Sequence, residues 1–205
     1  MAPLYRLDCT AADVAARFGA RAGDDPWAGG WVAPGKFAPV VTAGREFVAG
    51  PRPGGASLTP RVIPRLWGVL PPPSSNDPAR RIATVRNPDS PFWIGNLRNS
   101  EFRCLVPVTA FMEWSETSDY EGRRTKRWLA PTGERLFAMA GVWKDEEVPA
   151  FALLVQAPNK GNRAPRPVII PADGSAQQDW LHGDWTRARR LIDADPPPLA
   201  ELFPE

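Results

Sequence analysis

Glu113 is the first residue of this chain whose type and surroundings suggest chemistry. It lies near the end of the segment from Phe102 to Trp114, which begins with apolar and β-branched residues typical of a buried strand. Loss of solvent disfavours the ionised form of a carboxylate among apolar neighbours, and such a carboxyl group can serve as a general acid or base. A structural glutamate that pairs with one of the many arginines fits the same pattern. Both interpretations of Glu113 are open at this point.

Few other residues have the types or the spacing of catalytic or metal-binding groups. The chain has two cysteines, Cys9 and Cys104, and one histidine, His182, and their spacing matches no metal motif. A glycine-rich nucleotide loop is also missing from the sequence. We therefore expect no metal and no cofactor.

The types of the charged and aromatic residues, and not the net charge, are compatible with a nucleic-acid ligand. The 25 cations and 23 carboxylates leave a net charge of +2, which is too small to indicate a nucleic-acid binder by itself. Most cations are arginines, several of them beside tryptophan or proline. Guanidinium groups and flat rings suit phosphate contact and base stacking, although ordinary surface arginines would look the same.

The elements that must position these residues are predicted to be short. The 25 prolines and 17 glycines among 205 residues make long helices scarce. Hydrophobic periodicity predicts strands at 4–7, 61–70, 82–86, 135–143 and 150–157, and helices at 11–18, 90–98, 175–182 and 186–193. We expect one α+β domain over residues 1–194, with a bent, barrel-like and mostly antiparallel sheet and short peripheral helices. The proline-rich residues 195–205 are expected to form a loosely held tail.

The same sequence features indicate where the protein works. Two cysteines without an export signal fit a reducing, cytoplasmic compartment. No apolar run approaches the ~20 residues that a membrane helix needs. We expect a cytoplasmic protein with no membrane partner.

Several stretches, taken together and in order, resemble the SOS response-associated peptidase (SRAP) family. They cover most of the chain between residues 2 and 182 and are Leu4-Tyr5, Trp67-Gly68-Val69, Val85-Arg86-Asn87, Ser90-Pro91-Phe92-Trp93, Arg103-Cys104-Leu105-Val106-Pro107, Phe111-Met112-Glu113, the run from Phe137 to Trp143, Pro167-Val168-Ile169-Ile170 and Trp180-Leu181.

The resemblance implies a role in the DNA-damage response. Proteins of this family bind single-stranded DNA at abasic sites. There an N-terminal cysteine, exposed by loss of the initiator methionine, closes a thiazolidine ring on the aldehyde of the lesion. The same cysteine is thought to cleave a propeptide. A glutamate and a histidine move the protons, and an arginine and an asparagine hold the lesion.

Carried over to this chain, the family's catalytic set is incomplete. Glu113 matches the glutamate and Arg86 matches the arginine, but Ala2 stands at the position of the cysteine nucleophile. Thr84 replaces the asparagine, and the histidine position falls near Asn162 or Arg163. The resemblance therefore implies a degenerate active site.

The DNA-binding part of the resemblance involves more residues. Trp67 and the loop Pro71-Pro72-Pro73 resemble a base-stacking rim, although Trp67 fits a core position equally well. The predicted phosphate groove contains Arg86, Thr84, Asn87, Lys160, Arg163 and Arg166. A solvated loop face explains Arg163 and Arg166 as readily.

Three hypotheses follow. The first is a protein that binds single-stranded or abasic DNA non-covalently, or through a reversible imine between the lesion and the α-amine that Ala2 offers once Met1 is removed. The second is an interaction or scaffold protein that keeps the fold and has no DNA role. The third is an active protein whose nucleophile has moved to Cys9, which requires the Cys9 sulfur to lie near Glu113.

Overall fold

The computed structural model describes residues 4–44, 58–118, 121–157 and 165–202. Four helices are described: α1 (Ala11–Phe18), α2 (Pro91–Arg98), α3 (Gly174–Leu181) and α4 (Trp185–Asp193). Thirteen short strands are described: β1 (Tyr5–Leu7), β2 (Gly30–Val32), β3 (Phe37–Thr42), β4 (Arg61–Trp67), β5 (Thr84–Val85), β6 (Arg103–Val108), β7 (Ala110–Ser118), β8 (Arg124–Pro131), β9 (Phe137–Lys144), β10 (Ala150–Gln156), β11 (Arg166–Pro167), β12 (Ile169–Ile170) and β13 (Leu199–Leu202).

Five strands close into a small barrel. Their order is β10-β4-β3-β6-β9, and β9 pairs back onto β10 to complete the ring. The pairing of β4 with β10 is parallel, and the other four are antiparallel. Closure leaves no open edge within the ring. The arrangement confirms the predicted α+β class with a barrel-like, mostly antiparallel sheet.

A second, wholly antiparallel sheet packs against the barrel in the order β13-β8-β7-β1-β2. The chain passes from barrel to sheet at Thr109, between β6 and β7. The inner face of this sheet meets the barrel through aromatic pairs, Tyr5 with Trp67 at 5.0 Å and Phe111 with Phe137 at 6.4 Å between ring centroids. The run that ends in Glu113 is therefore two strands, and Glu113 belongs to the second sheet.

The barrel wall is tight where β6 and β9 pair. A Cβ added to Gly141 would lie 2.7 Å from the Val106 side chain and 2.8 Å from the Cys104 sulfur. Cys104 is fully buried in this wall, as a small apolar residue would be. Only glycine allows the two strands to approach so closely at this position.

The helices begin where side chains can cap them. Thr10 and Asp13 form a capping box at the start of α1, and the hydrogen bonds from Thr10 lower the pKa of Asp13. Helix α2 has Pro91 in its first turn, as its sequence predicts. These local signals explain why the predicted helices lie close to their observed positions.

The C-terminal segment is part of the second sheet. Residues Leu199–Leu202 form β13 and pair antiparallel with β8, from Leu199 opposite Pro131 to Leu202 opposite Trp128. The expectation of a loosely held tail from residue 195 is wrong for these four residues. Backbone pairing with β8 fixes their position, since none of the four residues is buried.

Candidate functional site

A cleft of about 920 Å³ opens between the second sheet and the barrel. From the sheet it is lined by Leu4 and by Phe111, Met112, Glu113 and Trp114. From the barrel side it is lined by Thr84, Leu153, Val155 and the prolines that flank Arg166. The cleft thus brings together four residues that the sequence places in one site from distant positions: Trp67, Thr84, Arg86 and Glu113.

Glu113 is held by two arginines. Arg166 donates from Nε to Oε1 and from Nη2 to Oε2 of Glu113, both at 3.0 Å, which is a bidentate pair. Arg127 Nη2 lies 3.6 Å from Oε2, and the Glu113 side chain is only 12% exposed. Both carboxylate oxygens of Glu113 are therefore engaged by Arg166, and Oε2 also faces Arg127, so a ligand at Glu113 would meet these guanidinium groups as well.

The ion pairs continue to the edge of the second sheet. Arg127 Nε also lies 3.6 Å from a carboxylate oxygen of Glu201 on β13. Four strands, β11, β7, β8 and β13, therefore contribute one charge each to a row of alternating sign. Neighbouring strands position these side chains, because Glu113 pairs with Arg127 in the register of β7 and β8.

The N-terminal segment enters the structure beside Glu113. The amide of Met112 donates to the carbonyl of Leu4 at 3.0 Å, so Leu4 lies level with the residue that precedes Glu113. Ala2, at the predicted nucleophile position, lies outside the described residues. What the structure establishes is where the chain enters β1, and this is the Glu113 end of the cleft.

Cations line the mouth of the cleft. Arg86 is exposed there, as are Arg80 and Arg124. Sequence reasoning missed Arg80 and Arg124, which belong to a polar loop and a charged hairpin with no motif of their own. Arg81 also lines the cleft, but its guanidinium donates to the carbonyl of Gly68 at 2.9 Å, and we assign it a structural role.

Two residues that were predicted to bind DNA, Trp67 and Asn87, make contacts within the protein instead. Trp67 is fully buried, donates from its indole nitrogen to the Ala83 carbonyl at 2.9 Å and stacks on Phe151. It therefore offers no exposed ring face to a base, and the base-stacking interpretation gives way to the core interpretation. The Asn87 side chain accepts from the amide of Asp89 in the turn before α2 and does not line the cleft.

Arg166 was predicted to contact phosphate and is instead the partner of Glu113 in this structure. It lies between Pro165 and Pro167, both of which line the cleft. Lys160, Arg163 and Asn162 lie outside the described residues. Of the predicted phosphate groove, Arg86 and Thr84 therefore line the cleft, and Arg166 is bound to Glu113, which lines it as well.

Neither Cys9 nor His182 belongs to the cleft. Cys9 follows the end of β1 that is remote from Glu113, and burial, together with Asp13 and Asp8, raises the pKa of its thiol to about 11. A thiol with that pKa is almost entirely protonated at neutral pH and is a weak nucleophile. His182 is the C-cap of α3 and borders a separate cavity of about 560 Å³. The moved-nucleophile hypothesis has no support in this geometry.

The described residues contain neither a metal-binding cluster nor a membrane-spanning helix. Within residues 4–44, 58–118, 121–157 and 165–202, no group of three or more His, Cys, Asp or Glu side chains is placed to hold a metal ion. In the same ranges, no helix is long and apolar enough to cross a membrane.

Comparison with known proteins identifies relatives at the level of the family and the fold. The profile of the SOS response associated peptidase (SRAP) family matches residues 1–201. A solved protein from Bordetella bronchiseptica superimposes with a TM-score of 0.69 at 15% identity, covering 99% of this chain and 100% of that one. A phage-related protein from the same organism gives 0.68 at 15% identity, covering 98% and 94%.

A third solved protein, from Bacteroides thetaiotaomicron, gives a TM-score of 0.67 at 16% identity and covers 92% of this chain and 85% of that one. Among curated proteins, none matches the sequence. At these identities the solved structures establish a shared fold and nothing further.

Proposed function

Because the chain belongs to the SOS response associated peptidase (SRAP) family, we propose that it binds single-stranded DNA, abasic sites included, in the cleft beside Glu113. The binding is non-covalent or passes through a reversible imine, without a stable thiazolidine crosslink. The proposed compartment is the cytoplasm.

One observation carries the proposal. Four arginines and two carboxylates line the cleft among the described residues, which leaves an excess of two positive charges, 4 minus 2. Three of these arginines, Arg80, Arg86 and Arg124, are exposed at the mouth. Phosphate contacts of this kind supply most of the affinity for single strands and make it sensitive to salt.

The residue type at position 2 and the pairing of Glu113 favour binding over stable covalent capture. Ala2 has no thiol, so an attacking N-terminal amine can form only the imine, with loss of one water. Glu113, the acid/base candidate, is already paired with Arg166 and Arg127. An imine hydrolyses back to amine and aldehyde, whereas a thiazolidine needs the sulfur that this position lacks.

DNA binding is tested with a fluorescent single strand, with and without an abasic site, at several salt concentrations. We expect the affinity to fall as salt rises, and Arg86→Ala to reduce the slope of log K against log salt by about 0.7, the value of one phosphate contact on a single strand. Arg190→Ala, an exposed arginine on α4 away from the cleft, is the matched control. Equal slopes for wild type and Arg86→Ala would exclude Arg86 from the interface.

The covalent question needs a separate experiment on a denaturing gel. The protein is incubated with abasic single-stranded DNA, with and without borohydride, which reduces an imine to a stable secondary amine. An adduct seen only with borohydride supports the imine, and no adduct supports purely non-covalent binding. An adduct that resists denaturation without borohydride would contradict the proposal that this protein forms no stable crosslink.

The second candidate function is an interaction protein that retains the fold. The pairing of Glu113 with Arg166 favours this alternative, because a carboxylate that accepts two hydrogen bonds from an arginine can have a purely structural role. This alternative holds if no salt-sensitive DNA binding is found with either oligonucleotide.

A further inference from the structure

The outer face of the second sheet carries a tryptophan that the core does not use. Trp31 on β2 is 56% exposed, an unusual degree of exposure for so large a ring. Its ring meets the ring of Trp128 edge to face, with 4.5 Å between centroids. The Arg6 guanidinium lies 5.0 Å from the centroid of Trp31. Trp31 is thus held by Trp128 and Arg6, and more than half of its surface remains exposed.

The tryptophans connect this exposed ring to the cleft. Trp128 on β8 is directly opposite Met112 on β7, and Trp114 lies two residues further along the same strand. Side chains two residues apart on a strand share a face, so Met112 and Trp114 continue the surface that Trp128 begins. Glu113 lies between them with its side chain on the opposite face, and all three residues are in the cleft lining, so the outer face borders the cleft at this point. We call Trp31, Met112 and Trp114, with the buried ring of Trp128 beneath them, the outer aromatic track.

Cations accompany the track along its length. The Lys126 ammonium lies 5.8 Å from the centroid of Trp114, as Arg6 lies over Trp31 at the other end. Lys126 and Arg124 are exposed two residues apart on β8, and Arg124 also lines the cleft. Among these described groups, Arg6 has an acidic neighbour, Asp8, at 2.8 Å. The surface therefore carries both positive charge and flat rings.

Aromatic faces interleaved with cations are what a single-stranded nucleic acid requires. Every base has a π-face that stacks without regard to sequence, and each intervening phosphate needs a cation within reach. A protein partner would not require positive charge beside each ring. The charge of the track therefore favours a nucleic-acid strand over an apolar protein surface.

We propose that nucleotides flanking the cleft-bound segment lie along the outer aromatic track, with one base against the exposed part of the Trp31 ring and phosphates beside Lys126. This inference rests on the proposed function, since a strand must first occupy the cleft. It adds a second contact region, which makes affinity depend on the length of the strand.

The test compares two abasic single strands, one of about 5 nucleotides that fits the cleft and one of about 20 that extends beyond it. Loss of one base–aromatic stack weakens binding by about tenfold or more. We expect Trp31→Ala to show that loss with the longer strand only, and Trp31→Phe to restore most of it. Phe37→Ala is the matched control, because Phe37 is 53% exposed on β3 and lies outside the track.

The outcomes separate this inference from the proposed function. If the wild type binds neither strand, the proposed function itself fails. If the wild type binds both strands and Trp31→Ala binds the longer one equally well, the outer aromatic track is not a nucleic-acid surface. Sedimentation of wild type and Trp31→Ala without DNA adds a further test. A change in oligomeric state with unchanged DNA affinity would assign Trp31 to a self-association interface and overturn the inference.

Discussion

At the scale of single residues, the pairing of Glu113 with Arg166 governs what the site can do. The two side chains are 53 residues apart in sequence and meet in a bidentate pair that is mostly shielded from solvent. Glu113 is thus both a cleft residue and the partner of an arginine, which were the two interpretations its sequence position left open. Which of the two roles dominates depends on the free energy of the Glu113–Arg166 interaction.

Removing Arg166 should leave a largely buried carboxylate with only Arg127 beside it. We expect Arg166→Met to lower the free energy of unfolding by about 1–3 kcal/mol, because Glu113 loses its two short hydrogen bonds. Urea denaturation measures the effect. Adding Glu113→Gln to Arg166→Met should recover part of the loss, and strictly additive losses in the double variant would show that the two residues are not coupled.

The raised pKa of Cys9 makes a pH prediction with a definite sign. Since the thiolate is the reactive form, alkylation of Cys9 should be slow at pH 7 and rise about tenfold per pH unit until it levels near the pKa of about 11. Iodoacetamide labelling followed by mass spectrometry measures it, with Cys9→Ser as the control for the buried Cys104. A rate that levels off near pH 8.5 would contradict the burial of this thiol.

At the scale of elements, Arg103 joins two helices to the barrel. This side chain projects from β6, is fully buried, and donates to the carbonyls of Leu97 at the end of α2 and of Trp180 and Gly183 at the end of α3. Carbonyls at helix C-termini lack partners within the helix and lie at the negative end of its dipole. One guanidinium thus satisfies both helix ends and holds them against the same strand.

Arg103→Met should remove these bonds and leave buried carbonyls without donors. We expect a loss of at least about 3 kcal/mol in the free energy of unfolding, measured from the denaturation midpoint. Arg98→Ala, an exposed arginine in the last turn of α2, is the control and should change stability by no more than about 0.5 kcal/mol. A similar small change for Arg103→Met would mean that other donors reach the carbonyls.

At the scale of the whole molecule, the cleft lies between a barrel that is closed by its own pairing and a separate sheet. Glu113 lines the cleft from the sheet and Leu153 lines it from the barrel. One edge strand of the second sheet is β13, the last described element of the chain, which covers β8. The C-terminal strand therefore belongs to the architecture of the site, through Glu201 and Arg127 as well.

Truncation after Pro198 should expose the edge of β8. Unpaired backbone groups along an edge strand favour pairing with another chain, so we expect a lower melting temperature and increased light scattering on heating. Truncation after Leu202, which leaves β13 intact, is the control. Equal melting and scattering for the two truncations would show that β13 adds nothing to the sheet.

Some features of the fold follow from local sequence patterns. The Thr10 capping box, Pro91 in the first turn of α2 and the apolar run of β9 each depend on residues within one turn or one strand. Those elements could be predicted from their own residues. The C-terminal strand could not, because Leu199–Leu202 is ordered by pairing with β8, some seventy residues earlier in the chain.

The sequence by itself determined the class of fold, the SRAP resemblance, the absence of a thiol at Ala2 and the candidacy of Glu113 and Arg86. Only the tertiary structure decided that Trp67 is enclosed, that Arg166 pairs with Glu113, that Cys9 lies away from the cleft, and that Arg80 and Arg124 border it. The physical reason is the sequence separation between the residues that interact. Helix caps and strand patterns are set by near neighbours, whereas ion pairs and burial arise where distant segments meet in one particular register.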